Sequence, residues 1–144
     1  MYIFYYLLNY SFNNILSIWG DTMHKNESAE NYLETILMLS KKLPVVRAVD
    51  IANELGYKKS SVSIAMKHLR EKEHITVSDA GFITLTETGR EIADMIYERH
   101  EVITQCLTRL GVPEEIAVED ACKVEHVIST ESFQAIKNYL AKFL

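Results

Sequence analysis

The sequence contains few of the residues that interrupt helices, with five glycines and two prolines among 144 residues. This scarcity favours long helices. Its two cysteines, Cys106 and Cys122, are too few for a disulfide framework and suit the reducing cytoplasm, where we expect the protein to be located. A composition of 48% hydrophobic and 24% charged residues is typical of a globular chain rather than a disordered one.

The first 20 residues, MYIFYYLLNYSFNNILSIWG, lack both a basic start and an uninterrupted apolar run. Neither a signal peptide nor a membrane helix fits this pattern well, so we expect no membrane partner. We interpret residues 1–22 as an extension that is not native or carries no structure, and Met23 as the natural first residue. A chain of 144 residues fits one domain or two small domains that share a core.

The net charge of −5 is distributed unevenly. Residues 41–74 carry eight basic and four acidic side chains, whereas residues 90–144 carry six basic and ten acidic side chains. A basic segment beside an acidic one indicates one polyanionic and one cationic partner. Scattered, solvated charge is the alternative explanation.

Apolar spacing predicts helices over residues 28–42, 47–56 and 57–73, with Gly56 ending the second. The period then changes in HITVSDAGFITLT, where two β-branched runs flank the turn SDAG and predict a hairpin. Two short helices joined at a glycine and followed by a hairpin form a winged helix-turn-helix.

Three more helices are predicted in the second half of the chain. A capping box of Thr88 and Glu91 is expected to start the long helix, which ends at Gly111. The expected apolar stripe of this helix consists of Ile92, Ile96, Ile103, Leu107 and Leu110. The next helix opens at Pro113 and is expected to bury Ala117, Ala121, Val124 and Ile128, and the last is amphipathic through Phe133, Ile136 and Leu140.

The start of the helix after Gly56 has the composition of a DNA-reading helix. Small side chains permit close approach to base edges, and lysines neutralise phosphates. We assign Lys58 and Lys59 to phosphates and Ile64 to a thymine methyl group. The full set of expected DNA contacts is Arg47, Lys58, Lys59, Ser60, Ser61, Ser63, Ile64 and Lys67. A merely polar helix surface is the alternative.

The stretch EDACKVEHV places Cys122, Glu125 and His126 at positions i, i+3 and i+4, which share one face of a helix. Thiolate, carboxylate and imidazole are ligands of first-row transition metals. His100 and Glu34, elsewhere in the chain, offer a further imidazole and a further carboxylate. Each has an ordinary alternative: a solvated helix face for Glu125 and His126, a small buried hydrophobe for Cys122, and a surface histidine for His100.

From about residue 28 to 140, the chain resembles the diphtheria-toxin-repressor family of metal-dependent transcriptional regulators, which includes manganese-transport regulators. The resemblance is carried by NYLETI, DIANELGYKKSSVSIAMKHL, GFITLTETGREIA, ERHEVITQCLTRLGV and EDACKVEHVIS. It implies a mainly α protein in which a winged helix-turn-helix DNA-binding domain, residues 23–88, precedes an all-helical metal-binding and dimerisation domain, residues 89–144.

The resemblance further implies a homodimer that represses metal-homeostasis genes by binding a palindromic operator in double-stranded DNA when loaded with metal. It implies neither an enzyme nor a small-molecule substrate. The implied metal ligands are Glu34, His100, Cys122, Glu125 and His126. Asn31 occupies a further ligand position that Asp or Met holds in other members, and its amide oxygen is a poorer ligand than a carboxylate.

Cys122 and two imidazoles favour Fe²⁺, Co²⁺, Ni²⁺ or Zn²⁺ over Mn²⁺, and of these ions we choose Fe²⁺ as the metal. Glu34 favours Mn²⁺, which we rank second, with Zn²⁺, Co²⁺ and Ni²⁺ possible in vitro. One rival interpretation is a metal-independent winged-helix regulator that senses redox state through Cys122. A helical metalloenzyme is another, but such enzymes usually carry paired Glu-x-x-His motifs, which this sequence lacks.

Overall fold

The computed structural model describes residues 27–142 and is mainly helical. Helix α1 covers 27–42, and the other elements are α2 (Ala48–Leu55), α3 (Lys59–Glu71), β1 (Ile75–Val77), β2 (Ile83–Leu85), α4 (Glu87–Arg109), α5 (Glu114–Val124) and α6 (Thr130–Ala141). This order confirms the predicted winged helix-turn-helix followed by a helical half. The interpretation of residues 1–22 lies outside the described residues.

The turn between α2 and α3 depends on Gly56, which has a φ of 66°. This left-handed conformation favours glycine because it lacks a Cβ atom. At the N-terminal end of α2, the amide of Arg47 donates a 2.8 Å hydrogen bond to the carboxylate of Asp50. On α3, the buried side chains are Val62, Met66 and Leu69, so its serines and lysines occupy the opposite, exposed face.

The hairpin pairs β1 and β2 antiparallel, with Ile75 opposite Leu85 and Val77 opposite Ile83. Val46 adds one bridge, because the Ile83 amide donates to its carbonyl at 2.8 Å. The hairpin therefore joins the same core as α1, α2 and α3. That core consists of Tyr32, Leu33, Ile36, Leu37, Leu39, Val46, Ile51, Ala52, Val62, Met66, Leu69, Ile75, Ile83 and Ala93.

Helix α4 connects the two halves. Near its start it contributes Ala93 to the first core, and further along it packs against α5 and α6. The apolar side chains buried in the second half are Ile96, Ile103, Ala117, Ala121, Phe133 and Leu140. A single long helix therefore fixes the position of the helical half relative to the winged half.

The predicted capping box of Thr88 and Glu91 is wrong. The N-cap of α4 is Thr86, whose hydroxyl accepts a 3.2 Å hydrogen bond from the Gly89 amide. The Thr86 amide also donates to the carbonyl of His74 at 3.0 Å, which ties the start of α4 to the residue before β1. This backbone hydrogen bond places the N-cap at Thr86 rather than at Thr88.

The helical half departs from the predicted apolar stripes at three positions. Ile128, expected to be buried on α5, is only half-buried and lies beyond the end of that helix at Val124. Leu110, expected at the end of the α4 stripe, is 74% exposed because α4 ends at Arg109. Val124, expected to be buried on α5, is exposed, and the buried side chain at this end is Glu125. Glu125 therefore occupies the buried position that the sequence pattern assigned to Val124.

We predict that Gly89→Ala destabilises the protein, because a Cβ atom there would lie 1.9 Å from the His74 carbonyl oxygen. Overpacking of this kind costs on the order of 1–3 kcal/mol. Urea denaturation at fixed protein concentration measures the loss. The control is Arg90→Ala, which removes only an exposed ion pair to Asp94 and should cost less than about 1 kcal/mol. Equal stability of the two variants would contradict the close approach.

Candidate metal centre and nucleic-acid interface

The carboxylate of Glu125 lies at the centre of the polar cluster. Its side chain is 1% exposed, although it is the residue that caps the C-terminus of α5. One oxygen is 2.9 Å from Nδ1 of His100 on α4, and the other is 3.3 Å from Nε2 of His126. A buried carboxylate needs such partners because removing it from water without them is costly.

Helix α1 brings a second carboxylate to the same place. Glu34 lies near Glu125, and burial, followed by the charge of Glu125, raises the pKa of Glu34 from 4.5 to about 7. Two carboxyl groups held together disfavour simultaneous ionisation. A divalent cation would relieve this repulsion, so the donor set fits a metal ion.

Cys122 completes a group of three possible ligands with His100 and Glu125. One donor atom from each of these side chains lies within 4.8 Å of the others, and Sγ of Cys122 is 3.7 Å from Nδ1 of His100. The hydrogen bond to Glu125 raises the pKa of His100 despite its burial. Sulfur, nitrogen and carboxylate oxygen are together typical of a transition-metal site.

The predicted helical face of Cys122, Glu125 and His126 is only partly correct. Helix α5 ends at Val124, so Glu125 caps the helix and His126 lies in the following turn. His126 nevertheless faces the cluster through its contact with Glu125. Asn31 lies half-buried on α1, between Glu30 and Glu34. Its assignment as a metal ligand stays a prediction, as do those of the other five residues.

Two residues of this region were not predicted from the sequence. Glu30 on α1 contacts Nδ1 of His126 at 2.9 Å. Arg99 donates hydrogen bonds to the carbonyl oxygens of Glu125, at 3.1 Å, and Ile128, at 3.3 Å, and so holds the turn after α5. Glu30 could have been found by its i, i+4 spacing from Glu34, and Arg99 by its place beside His100.

The expected DNA contacts form an exposed surface on the winged half. They lie at the start of α2 and along the outer face of α3, and all are exposed: Arg47, Lys58, Lys59, Ser60, Ser61, Ser63, Ile64 and Lys67. Ile64 is 58% exposed among serines and lysines, which suits contact with an apolar group such as a thymine methyl. Arg47 lies over the ring of Phe82, with its guanidinium carbon 4.9 Å from the ring centre.

Two protein-family models match the chain. The model described as "Iron dependent repressor, N-terminal DNA binding domain" matches residues 24–81. The model described as "Iron dependent repressor, metal binding and dimerisation domain" matches residues 86–144. Together they cover both halves of the fold and confirm the resemblance seen in the sequence.

Curated relatives are regulators of similar length. An uncharacterised helix-turn-helix transcriptional regulator of Methanocaldococcus jannaschii is 34% identical over 120 residues, covering 82% of this chain and 96% of the relative. The regulator MntR of Bacillus subtilis is 32% identical over 116 residues, covering 81% of this chain and 82% of the relative.

Solved structures share the fold. The structure of Thermoplasma acidophilum IdeR superposes with a TM-score of 0.70 at 26% identity, covering 78% of this chain and 53% of that one. A manganese-dependent transcriptional repressor in complex with manganese superposes with a TM-score of 0.72 at 26% identity, covering 78% of this chain and 52% of that one. The chain therefore spans about half the length of these structures. Within residues 27–142, no helix is long and apolar enough to cross a bilayer.

We predict that the metal-free protein loses stability as pH rises from about 5 to about 8. The folded-state pKa values of Glu34, His100 and His126 are all raised, so the folded state holds these protons more tightly than the unfolded state does. Their stabilisation is present at low pH and is lost as pH passes the folded-state values. Glu34→Gln should flatten the decline, because glutamine carries no titrating proton.

Urea denaturation at several pH values, with a chelator present, measures this decline. Glu91→Gln is the matched control, since it removes an exposed carboxylate of α4 by the same chemical change. The control should follow the wild-type decline. A Glu34→Gln protein whose stability falls with pH as steeply as the wild type would show that Glu34 does not titrate in this window.

Proposed function

The chain belongs to the iron-dependent repressor family of metal-dependent transcriptional regulators, and we propose that it represses transcription as a homodimer bound to a palindromic operator when loaded with metal. The observation that carries the proposal is the position of Glu125. Its buried carboxylate contacts His100 of α4 and His126 after α5, and its charge raises the pKa of Glu34 on α1. One ion there would be held by elements of both halves of the protein.

We assign the metal to Glu34, His100, Cys122, Glu125 and His126. Asn31 is the weakest member of the set, because an amide oxygen is neutral. Cys122 supplies a soft sulfur, which supports Fe²⁺ as the preferred ion. The hard oxygens of Glu34 and Glu125, together with similarity to a manganese-dependent repressor, support Mn²⁺ as the second choice. Zn²⁺, Co²⁺ and Ni²⁺ should bind in vitro.

Coupling to DNA follows from the packing of α1. Leu33, Ile36 and Leu37 of this helix are buried in the same core as Val62 and Met66 of the DNA-reading helix α3. Glu34 and Glu125 would hold the ion, whose positive charge would offset the repulsion between their carboxylates. Helix α1 would then keep a fixed position against the helical half, and α3 with it.

In a dimer, this constraint sets the spacing of two α3 helices, which must match successive major grooves of an operator. Couplings between two binding sites are typically about 1–3 kcal/mol. A repressor of this kind suits feedback control of metal-homeostasis genes, because abundant metal favours the DNA-binding arrangement.

The outer surface of the helical half supports dimerisation. Ile116, Val118, Val124 and Val127 are exposed on α5 and in the turn that follows it, whereas Ala117 and Ala121 of α5 are buried. A group of exposed apolar side chains on one element indicates a protein contact. A second copy of this chain accounts for the surface, since the matched family domain is one of dimerisation.

The pKa of Cys122 opposes the rival function of a metal-independent redox sensor. Burial, followed by the charges of Glu125 and Glu34, raises the pKa of this thiol. Reactive thiols require the thiolate and have lowered pKa values. In the metal-free protein Cys122 therefore remains a protonated, weakly nucleophilic thiol, whereas a bound cation would favour its deprotonation.

We predict that Glu125→Ala and His126→Ala abolish metal-activated DNA binding. Both side chains belong to the cluster, while the phosphate-binding lysines are unchanged, so weak metal-independent binding should remain. Cys122→Glu should instead shift relative affinity from Fe²⁺ toward Mn²⁺, because it replaces soft sulfur with hard oxygen. The measurement is anaerobic metal titration of binding to duplex DNA enriched from a random pool by the metal-loaded wild type.

Lys123→Ala is the control for these variants, because it changes an exposed residue of the same segment. It should respond to metal as the wild type does. Metal activation that persists in both Glu125→Ala and His126→Ala would remove the cluster from the mechanism.

We predict that Lys59→Ala and Ser61→Ala affect DNA binding differently. Loss of one phosphate contact at Lys59 should weaken binding to all sequences and reduce the salt dependence by roughly one counterion. Ser61→Ala should change the preference at one operator position. Affinities for the selected duplex and its single-base variants, over a range of salt concentrations, measure both effects. Altered base preference in both variants, with unchanged salt slopes, would contradict this division.

A further inference from the structure

The ring of His126 lies between two carboxylates. Its Nδ1 atom is 2.9 Å from Glu30 Oε2, and its Nε2 atom is 3.3 Å from Glu125 Oε1. The His126 side chain is 5% exposed, so water is largely excluded from both ring nitrogens. Glu30 belongs to α1 and is separated from His126 by 96 positions in the sequence. The contact is therefore a tertiary link between the winged half and the turn after α5.

We infer that Glu30 is a positioning residue that fixes the orientation and tautomer of His126 toward the metal centre. The inference rests on the proposed metal function and adds a role that the sequence did not suggest. A carboxylate only accepts hydrogen bonds, and the contact of Nδ1 with Glu30, at 2.9 Å, is shorter than the contact of Nε2 with Glu125, at 3.3 Å, so Glu30 selects the proton on Nδ1. The lone pair then lies on Nε2, the nitrogen that faces Glu125 and the centre.

The geometry distinguishes this role from that of a ligand. Glu30 reaches the ring nitrogen that points away from Glu125, so the imidazole lies between the two carboxylates. Glu34, one helical turn later on the same face of α1, is the carboxylate whose pKa the charge of Glu125 raises. Helix α1 thus offers one carboxylate to the centre and a second to a histidine that faces it. Carboxylate–histidine pairs of this kind orient metal ligands and strengthen binding.

The test is Co²⁺ titration of the otherwise metal-free protein under anaerobic conditions, with Co²⁺ absorption as the readout. Glu30→Ala should weaken Co²⁺ binding roughly 10- to 100-fold, the usual effect of removing such a partner. Glu30→Gln should lie between Glu30→Ala and the wild type, because the amide oxygen still accepts from Nδ1. Glu91→Gln, the exposed control, should match the wild type. Circular dichroism and thermal unfolding of each variant establish that it is folded, and Glu30→Gln provides the comparison if Glu30→Ala does not fold.

Nitrogen-15 NMR of the Zn²⁺-loaded protein provides a readout that a purely structural role would not change. The wild type should show His126 protonated on Nδ1 and metal-bound through Nε2, and Glu30→Ala should show a mixture or the opposite arrangement. Unchanged Co²⁺ affinity and an unchanged tautomer in Glu30→Ala would overturn the inference. A lower coordination number in its Co²⁺ spectrum would also overturn it, because Glu30 would then be a ligand.

Failure of the proposed function gives a different pattern. A wild-type protein that binds no Co²⁺, or a Glu125→Ala protein that binds it as tightly as the wild type, would contradict the metal centre and the inference with it. Loss of binding in Glu125→Ala, together with wild-type behaviour of both Glu30 variants, would contradict only the role of Glu30.

Discussion

The arrangement of this protein depends on one buried carboxylate. Glu125 is 1% exposed at the point where α1, α4 and the end of α5 meet, and its neighbours are two imidazoles and a second carboxyl group. Without added positive charge, this set keeps Glu34 partly protonated near neutral pH, since its pKa is about 7. Glu34 therefore changes charge near neutral pH. A divalent cation would favour the state in which both carboxylates are ionised.

The position of this junction explains how a small ion could affect a surface on the opposite half of the chain. Helix α1 is not a separate arm, because its apolar face forms part of the core beneath α3. Arg99 fixes the turn that presents Glu125 and His126 through hydrogen bonds to two carbonyl groups of that turn. The donors on the helical half are thus held firmly, and the link to α1 is the contact that metal would strengthen. Similarity to metal-dependent repressors is consistent with such coupling.

The sequence allowed the winged half to be predicted because its signals are local. The glycine turn, the change of period at the hairpin and the stripe of Val62, Met66 and Leu69 each lie within a few residues. The wrong predictions concern positions that tertiary contacts determine. Thr86 rather than Thr88 caps α4 because the Thr86 amide donates to the carbonyl of His74. Glu125 rather than Val124 is buried because polar partners surround the Glu125 carboxylate. Glu30 was missed because its partner lies 96 positions away. Functional sites are where local patterns are expected to fail.

Amide hydrogen exchange, measured anaerobically with and without Fe²⁺, tests the central claim that metal joins α1 to the helical half. The account predicts slower exchange in two separated segments at once, α1 and the turn over residues 125–129, with little change at the far end of α4. Slower exchange confined to residues 125–129, with α1 unchanged at saturating Fe²⁺, would contradict it, because the ion would then be held by the helical half alone.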